Sequence, residues 1–267
     1  MFKRLIVGFL LVLFAFHARG ANYTDVYYDV LEPGWGAFLI QSDTFQFIAF
    51  FIYGADGKPT WYTAQLTDDG TGKYTGSLFA ITGTYFANPW QGYTINPAGT
   101  TVFAPSDIYH ATLTYTVNGI GTITKAMQRQ TLTAEKMSGN YSGSMAGSIS
   151  GCVDPTSNDP MFRARYGLTV TQVGDASATL VFTFVDTTHA GIVCTASGPL
   201  THFGRIYQMG AGSTLACTGP GQDNKPRDVT IDSFHPTGQG IEGKIASNVG
   251  GGCIASLHFA AVLNVNN

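Results

Sequence analysis

Residues 109–117 read YHATLTYTV and alternate without a break. Tyr109, Ala111, Leu113, Tyr115 and Val117 fall on one side, and His110, Thr112, Thr114 and Thr116 on the other. Side chains of a strand point alternately to its two faces, so this stretch predicts an antiparallel strand with one face buried and one in water. Asn118-Gly119 follows directly and suits the positive φ of a tight hairpin turn, which predicts a partner strand over 120–129. The rest of the chain favours the same element. Glutamate occurs only at 32, 135 and 242, glycine reaches 33 residues, and helix formers are scarce beside β-branched and aromatic residues. The fold class expected is all-β.

Strands are predicted at 35–41, 45–53, 60–66 and 74–81, then a turn-rich stretch from Gly83 to Pro105 that holds Pro89, Pro97 and Pro105. A second series follows at 140–149, 166–173, 179–185, 192–197, 203–208, 228–234, 241–247 and 254–263. Many short strands separated by turns predict closed barrels or sandwiches. Two antiparallel, barrel or sandwich-like halves are expected, an aromatic-rich one over 21–134 and a cysteine-containing one over 135–267. The joint at 133–138 has neither Pro nor Gly, so a long flexible linker is not expected. WGAFLIQSDTFQFIAFFIY from Trp35 and YGLTVTQVGDASATLVFTFV from Tyr166 share an aromatic-Gly opening, a Gln at 41 and 172, and an Asp at 43 and 175. They suggest one plan used twice, a diverged duplication; chance similarity between hairpins is the alternative.

Residues 1–20, MFKRLIVGFLLVLFAFHARG, carry a charged start, an apolar run and small residues at a cleavage position, the pattern of a secretory signal peptide. The run is short for a bilayer span, which takes about 20 residues, so no transmembrane segment is expected in the mature chain. Export to the periplasm or the extracellular space is the expected localisation. Removal of Lys3, Arg4 and Arg19 takes the formal charge from −3 to −6. With 12% charged residues and no basic block, nucleic acid is disfavoured as a partner. An even number of cysteines on an exported chain predicts two disulfides, the rival being a zinc site, which the wide Cys spacing disfavours. In an up-and-down barrel of eight strands, Cys152 and Cys253 fall at one end of neighbouring first and last strands. That favours Cys152–Cys253 with Cys194–Cys217, among three open pairings.

The strand FQFIAFFIY, 45–53, is apolar on both faces: Phe45, Phe47, Ala49, Phe51 and Tyr53 on one, Gln46, Ile48, Phe50 and Ile52 on the other. A barrel interior covers one face; the other needs a second domain, a lipid surface or a partner, and contact between the two halves is the expected cover. Trp35, Trp61, Tyr62 and Trp90 are the candidate ligand-binding residues, because rings on rigid strands recognise ligands at small entropic cost. Core packing is the alternative for Trp61 and Tyr62.

Glu32-Pro33-Gly34-Trp35-Gly36, the apolar strand, and Tyr53-Gly54-Ala55-Asp56-Gly57-Lys58-Pro59-Thr60-Trp61-Tyr62 together resemble an uncharacterised β-rich module of exported proteobacterial proteins. That module runs Gly-Trp-Gly, apolar strand, Tyr-Asp, a Gly turn and Pro-Thr-Trp-Tyr. Ala111 to Gly119 and Arg129-Gln130 are similar to its end, so the resemblance spans about residues 31–130, and the second half resembles a partner that often follows. Some members of that family sit beside secreted hydrolases, so the resemblance implies an accessory or surface role; it carries over no activity. Gly54 stands where the module has Asp, so no role carries over for that carboxylate.

Chemistry-bearing motifs are weak. Gly143-Ser144-Met145-Ala146-Gly147 puts Ser out of place for a nucleophile elbow. His110, His189, His202, His235 and His258 form no metal-binding spacing, Asp68-Asp69-Gly70 lacks the further ligands of a calcium loop, and Gly250-Gly251-Gly252 precedes a Cys and no helix. No cofactor and no metal are expected. The reading is an exported, non-catalytic binding or accessory protein whose partner is a glycan, an envelope component or a protein. The alternatives are a periplasmic inhibitor of an attacking hydrolase presenting the loop 217–227, a glycan hydrolase with unplaced carboxylates, and an outer-membrane barrel. The last is disfavoured by threonine-rich faces and the Asn-Val-Asn-Asn end.

Overall fold

A computed structural model describes residues 21–264; the expected signal peptide lies outside the described residues. The described residues are nearly all β, as expected from the composition, with one short 3-10 turn among them at Pro155–Ser157. The first half is a closed meander of β1 (Asp25–Tyr28), β2 (Gly36–Ser42), β3 (Phe45–Tyr53), β4 (Pro59–Asp68), β5 (Tyr74–Gly83), β6 (Tyr93–Pro105), β7 (His110–Val117) and β8 (Gly121–Arg129). Each strand pairs antiparallel with the next, and Tyr27 of β1 opposite Arg129 of β8 shuts the barrel. Alternation is obeyed on β7: Ala111, Leu113, Tyr115 and Val117 point inward, while Thr114 and Thr116 bond Thr124 and Thr122 of β8 on the outside.

The second half holds β9 (Gly139–Ser150), β10 (Asp159–Val173), β11 (Ser177–Phe184), β12 (Val193–Pro199), β13 (Thr201–Phe203), β14 (Ile206–Met209), β15 (Thr214–Thr218), β16 (Arg227–Thr237), β17 (Gly240–Gly250) and β18 (Cys253–Leu263). The pairings β9–β10–β11–β12–β15–β16–β17–β18–β9 form a ring of eight, with the β13–β14 hairpin laid on β16. Disulfides Cys152–Cys253 and Cys194–Cys217 join the first to the last strand and bridge β12 to β15.

The two barrels share a local plan to the level of single hydrogen bonds. The Gln41 side-chain oxygen accepts from the Tyr23 amide at 3.0 Å, the Gln41 amide donates to Thr24 Oγ1 at 2.8 Å, and the Tyr27 hydroxyl donates to the Tyr23 carbonyl at 2.9 Å. Gln172 accepts from the Met137 amide at 2.9 Å and its amide donates to Ser138 Oγ at 2.9 Å, while the Tyr141 hydroxyl donates to the Met137 carbonyl at 2.8 Å. Strand register agrees: Gly36 faces Tyr28 and Leu39 faces Asp25, as Gly167 faces Ser142 and Val170 faces Gly139. The repeat beginning at Trp35 and Tyr166 therefore forms the second and third strands of both rings.

Three expectations need correction. The stretch 83–105 is not merely turns: β6 occupies its second half, with Pro97 at a register shift and Gly99, at φ 152°, beside it. Proline marks a bulge here, where the ladder loses no donor. The strand expected at 203–208 is a hairpin broken at Gly204, φ 61°, and β1 and β15 are additional strands, too short and too mixed to show a period. Finally, the outer face of β3 is not covered by the second half. Gln46, Ile48 and Phe50 are buried inside the barrel, but Phe45, Phe51 and Tyr53 are exposed.

The halves meet at the other end. The Arg129 guanidinium pairs with Asp25 at 2.9 Å and also donates to the carbonyls of Asn22, Thr24 and Ile108, while Gly204 of the β13–β14 turn packs on Asp25 and Arg129. The Tyr109 hydroxyl bonds Asp232, and its ring lies 4.9 Å from that of Phe203. Burial first, then the Asp232 contact, holds the Tyr109 hydroxyl well above its ordinary pKa.

Candidate binding surface on the first barrel

In a meander, alternate connections lie at the same end. The β1–β2, β3–β4, β5–β6 and β7–β8 loops therefore gather at the end of the first barrel away from the second. β5 leaves β4 at Phe79 and continues with β6 as a two-stranded ribbon, Ala80–Gly83 against Tyr93–Asn96. Its tip holds Tyr85, Phe86 (90% exposed) and Trp90 (70%), and Tyr93 lies 6.2 Å from Trp90.

Beside the ribbon, the outer face of β2, β3 and β4 carries Phe38, Ile40, Phe45, Phe51 and Trp61, all exposed. Cross-strand register builds the patch: Gly36 opposes Phe51, Phe51 opposes Trp61, and the Phe38 and Phe51 rings meet edge to face at 4.8 Å. The opposite wall, β7 and β8, presents threonines. The barrel is apolar on one flank only, unlike a spanning barrel, which needs an apolar belt all round. Among the described residues no helix is long and apolar enough to cross a membrane.

The second barrel shows what this fold requires on that face. By the shared register, Phe38, Ile40, Phe47 and Phe51 correspond to Thr169, Thr171, Thr179 and Thr183, and Trp61 to Val193. A barrel of this plan closes with threonines there, so the exposed rings are not a folding requirement.

The four candidate residues separate. Trp61, half exposed, and Trp90 lie on the accessible end. Tyr62 points inward and is half-buried. Trp35, 8% exposed, is part of the core rather than an open groove, and its indole Nε1 has no hydrogen-bond partner. The sequence reading missed Phe38, Phe51, Phe86 and Tyr93. The apolar character of both faces of 45–53 was the signal for Phe51, whereas the ribbon lay hidden in a proline-rich stretch.

Carboxylates and histidines form isolated local pairs: His110–Asp107 at 2.9 Å, His189–Asp186 at 2.7 Å and His235–Glu242 at 3.1 Å. Burial by itself would raise the Asp186 pKa, but the Arg165 amide and His189 outweigh it and bring it down to about 2. An Asp accepting from the amide two or three residues on is the ordinary chemistry of a turn. Among the described residues no group of three or more His, Cys, Asp or Glu is placed to hold a metal.

No family model, curated protein or solved structure matches the chain.

Proposed function

We propose that this is an exported, non-catalytic binding module that docks an apolar surface of a partner protein on the β2–β4 flank and the β5–β6 ribbon of the first barrel. One observation carries the reading: the exposed rings of Phe38, Phe51 and Trp61 stand where the sister barrel has Thr169, Thr183 and Val193. Contiguous exposed apolar surface on a soluble domain marks interaction sites, whereas single exposed rings do not. The two disulfides fit export, and the resemblance to an exported accessory module points the same way.

The test replaces rings with the sister barrel's own residues. Phe38→Thr, Phe51→Thr and Trp61→Val combined should leave the melting temperature within a few degrees of the parent while abolishing cosedimentation with envelopes of the producing cells. Undiminished cosedimentation of the triple variant would remove the basis of the reading. A glycan is the second reading, supported by the exposed Trp90 and Tyr93 rings, tilted by 33°. It requires retention on a polysaccharide matrix that is lost in Trp90→Ala.

A further inference from the structure

The mouth of the first barrel holds an arrangement that the sister barrel lacks. Lys125 lies on the inward side of β8, opposite Leu113, and its side chain is 14% exposed. It forms an ion pair with Glu32 and sits 6.0 Å from the ring centre of Trp35, both on the loop that joins β1 to β2.

The shared register again supplies an internal control. Tyr27 faces Arg129 and Tyr141 faces Leu263, so Lys125, four residues before Arg129, corresponds to Phe259. Phe259 is core, packed against Phe182 and Phe234 and fitted over Gly243. Trp35 corresponds to Tyr166, whose hydroxyl is satisfied by the carbonyls of Ser144 and Ala260. In the first barrel, Trp35 Nε1 is buried without a partner. A folded core gains nothing from an inward lysine and an unpaired indole N–H, which cost free energy unless something pairs with them.

Of the loop at the mouth, Trp35 packs in the core while residues 31–34 are exposed. The loop's backbone bonds are internal, Glu32 to Asp29 at 3.1 Å and Trp35 to Glu32 at 3.2 Å, and Leu31 is exposed. The Glu32–Lys125 pair is the hydrogen-bonded tie from this segment to β8. Glu32 and Trp35 thus place a carboxylate and a flat apolar ring on one inward cation, as a tethered ligand would.

We infer that Glu32 and Trp35 are an intramolecular stand-in occupying a ligand site at the barrel mouth, and that the site takes a small carboxylate with a flat apolar body, of the arylalkanoate class. The incoming carboxylate replaces Glu32 on Lys125, and the apolar body replaces the indole as the loop swings out. No bond is made or broken. Eight-stranded barrels have room for side chains or for one small ligand, and here the plug and the ligand compete for that space. This site is separate from the outer face of the proposed docking surface.

The probes are 3-phenylpropionate and its uncharged amide, titrated calorimetrically into the full mature chain. The carboxylate should bind at least about tenfold tighter than the amide, the discrimination expected of a charge-assisted hydrogen bond. Glu32→Gln, which removes the competing carboxylate, should tighten it further, and Lys125→Met should reduce it to the level of the amide. Lys125→Arg, which keeps the charge, should preserve the preference and covers the case in which Lys125→Met does not fold. With Trp61→Val and Trp90→Phe, Trp35 is the last of three tryptophans, and its emission should shift on binding. Equal affinity for acid and amide on the unmodified chain, no heat with either probe, or weaker binding by Glu32→Gln would each overturn the inference. None of these outcomes bears on cosedimentation through the outer rings, so the two proposals fail separately.

Discussion

Gln41 and Gln172 each tie the second strand of a barrel to the residues just before its first, the side chain accepting from a backbone amide and the main-chain amide donating to a hydroxyl, at nearly the same lengths. A repeat faint in sequence is thus kept where it carries a structural duty. Strand register then makes the second barrel a reference for the first, position by position.

Replacing either glutamine with leucine leaves a backbone amide without its acceptor. Gln41→Leu and Gln172→Leu should each cost about 1–3 kcal/mol, the penalty of an unsatisfied amide. Denaturant melts of the two single variants check this, and a loss confined to one would deny that the two motifs do equal work.

The disulfides should differ in worth. Cys152–Cys253 closes a loop with a sequence separation of 101, and Cys194–Cys217 one of 23. On the chain-entropy account, losing the first costs about 5 kcal/mol and losing the second about 3 kcal/mol. Paired Cys→Ser variants, compared in urea, should rank in that order.

Asp25 and Arg129 form a buried ion pair under the contact between the barrels, with Gly204 against it. Asp25→Ala would strand the guanidinium, at a cost of about 3–5 kcal/mol. The same change should raise proteolysis of the 130–138 segment, because the contact that steadies both halves is lost. Limited proteolysis of parent and variant side by side measures this.

Asp186 gives a pH dependence of known sign. Its folded pKa, about 2, lies below the ordinary value of 3.8, so the folded state favours the carboxylate. Its contribution is complete above the unfolded pKa and is lost as pH falls through the folded one. Asp186→Asn should therefore lower stability at neutral pH by about 1–2 kcal/mol, allowing for partial solvent screening. The gap from the parent should close as pH drops from 4 towards 2. Thermal melts across that range test it, and a gap that widens on acidification would be the wrong sign.

The all-β class, the hairpin at Asn118-Gly119 and the duplicated unit at Trp35 and Tyr166 were legible in sequence, because a period of two and turn residues act over a few neighbours. Both barrels and the two cross-strand disulfides follow from such local patterns once closure is assumed. What covers the outer face of Phe51 was not legible, since the pattern states that a face is apolar and cannot state what lies against it. Trp35 and Trp61 read alike as candidates, yet one plugs a barrel mouth and the other stands in solvent. Nothing in the pattern of 120–129 sets Lys125 apart; its inward direction depends on the register with which β8 closes onto β1. Local pattern determined most of the strand segments, though not β1, β6 or β15. Closure, register and the meeting of the two barrels through Tyr109 and Asp25 decided which rings and charges are left facing outward or inward, because those are set by contacts between residues far apart in the chain.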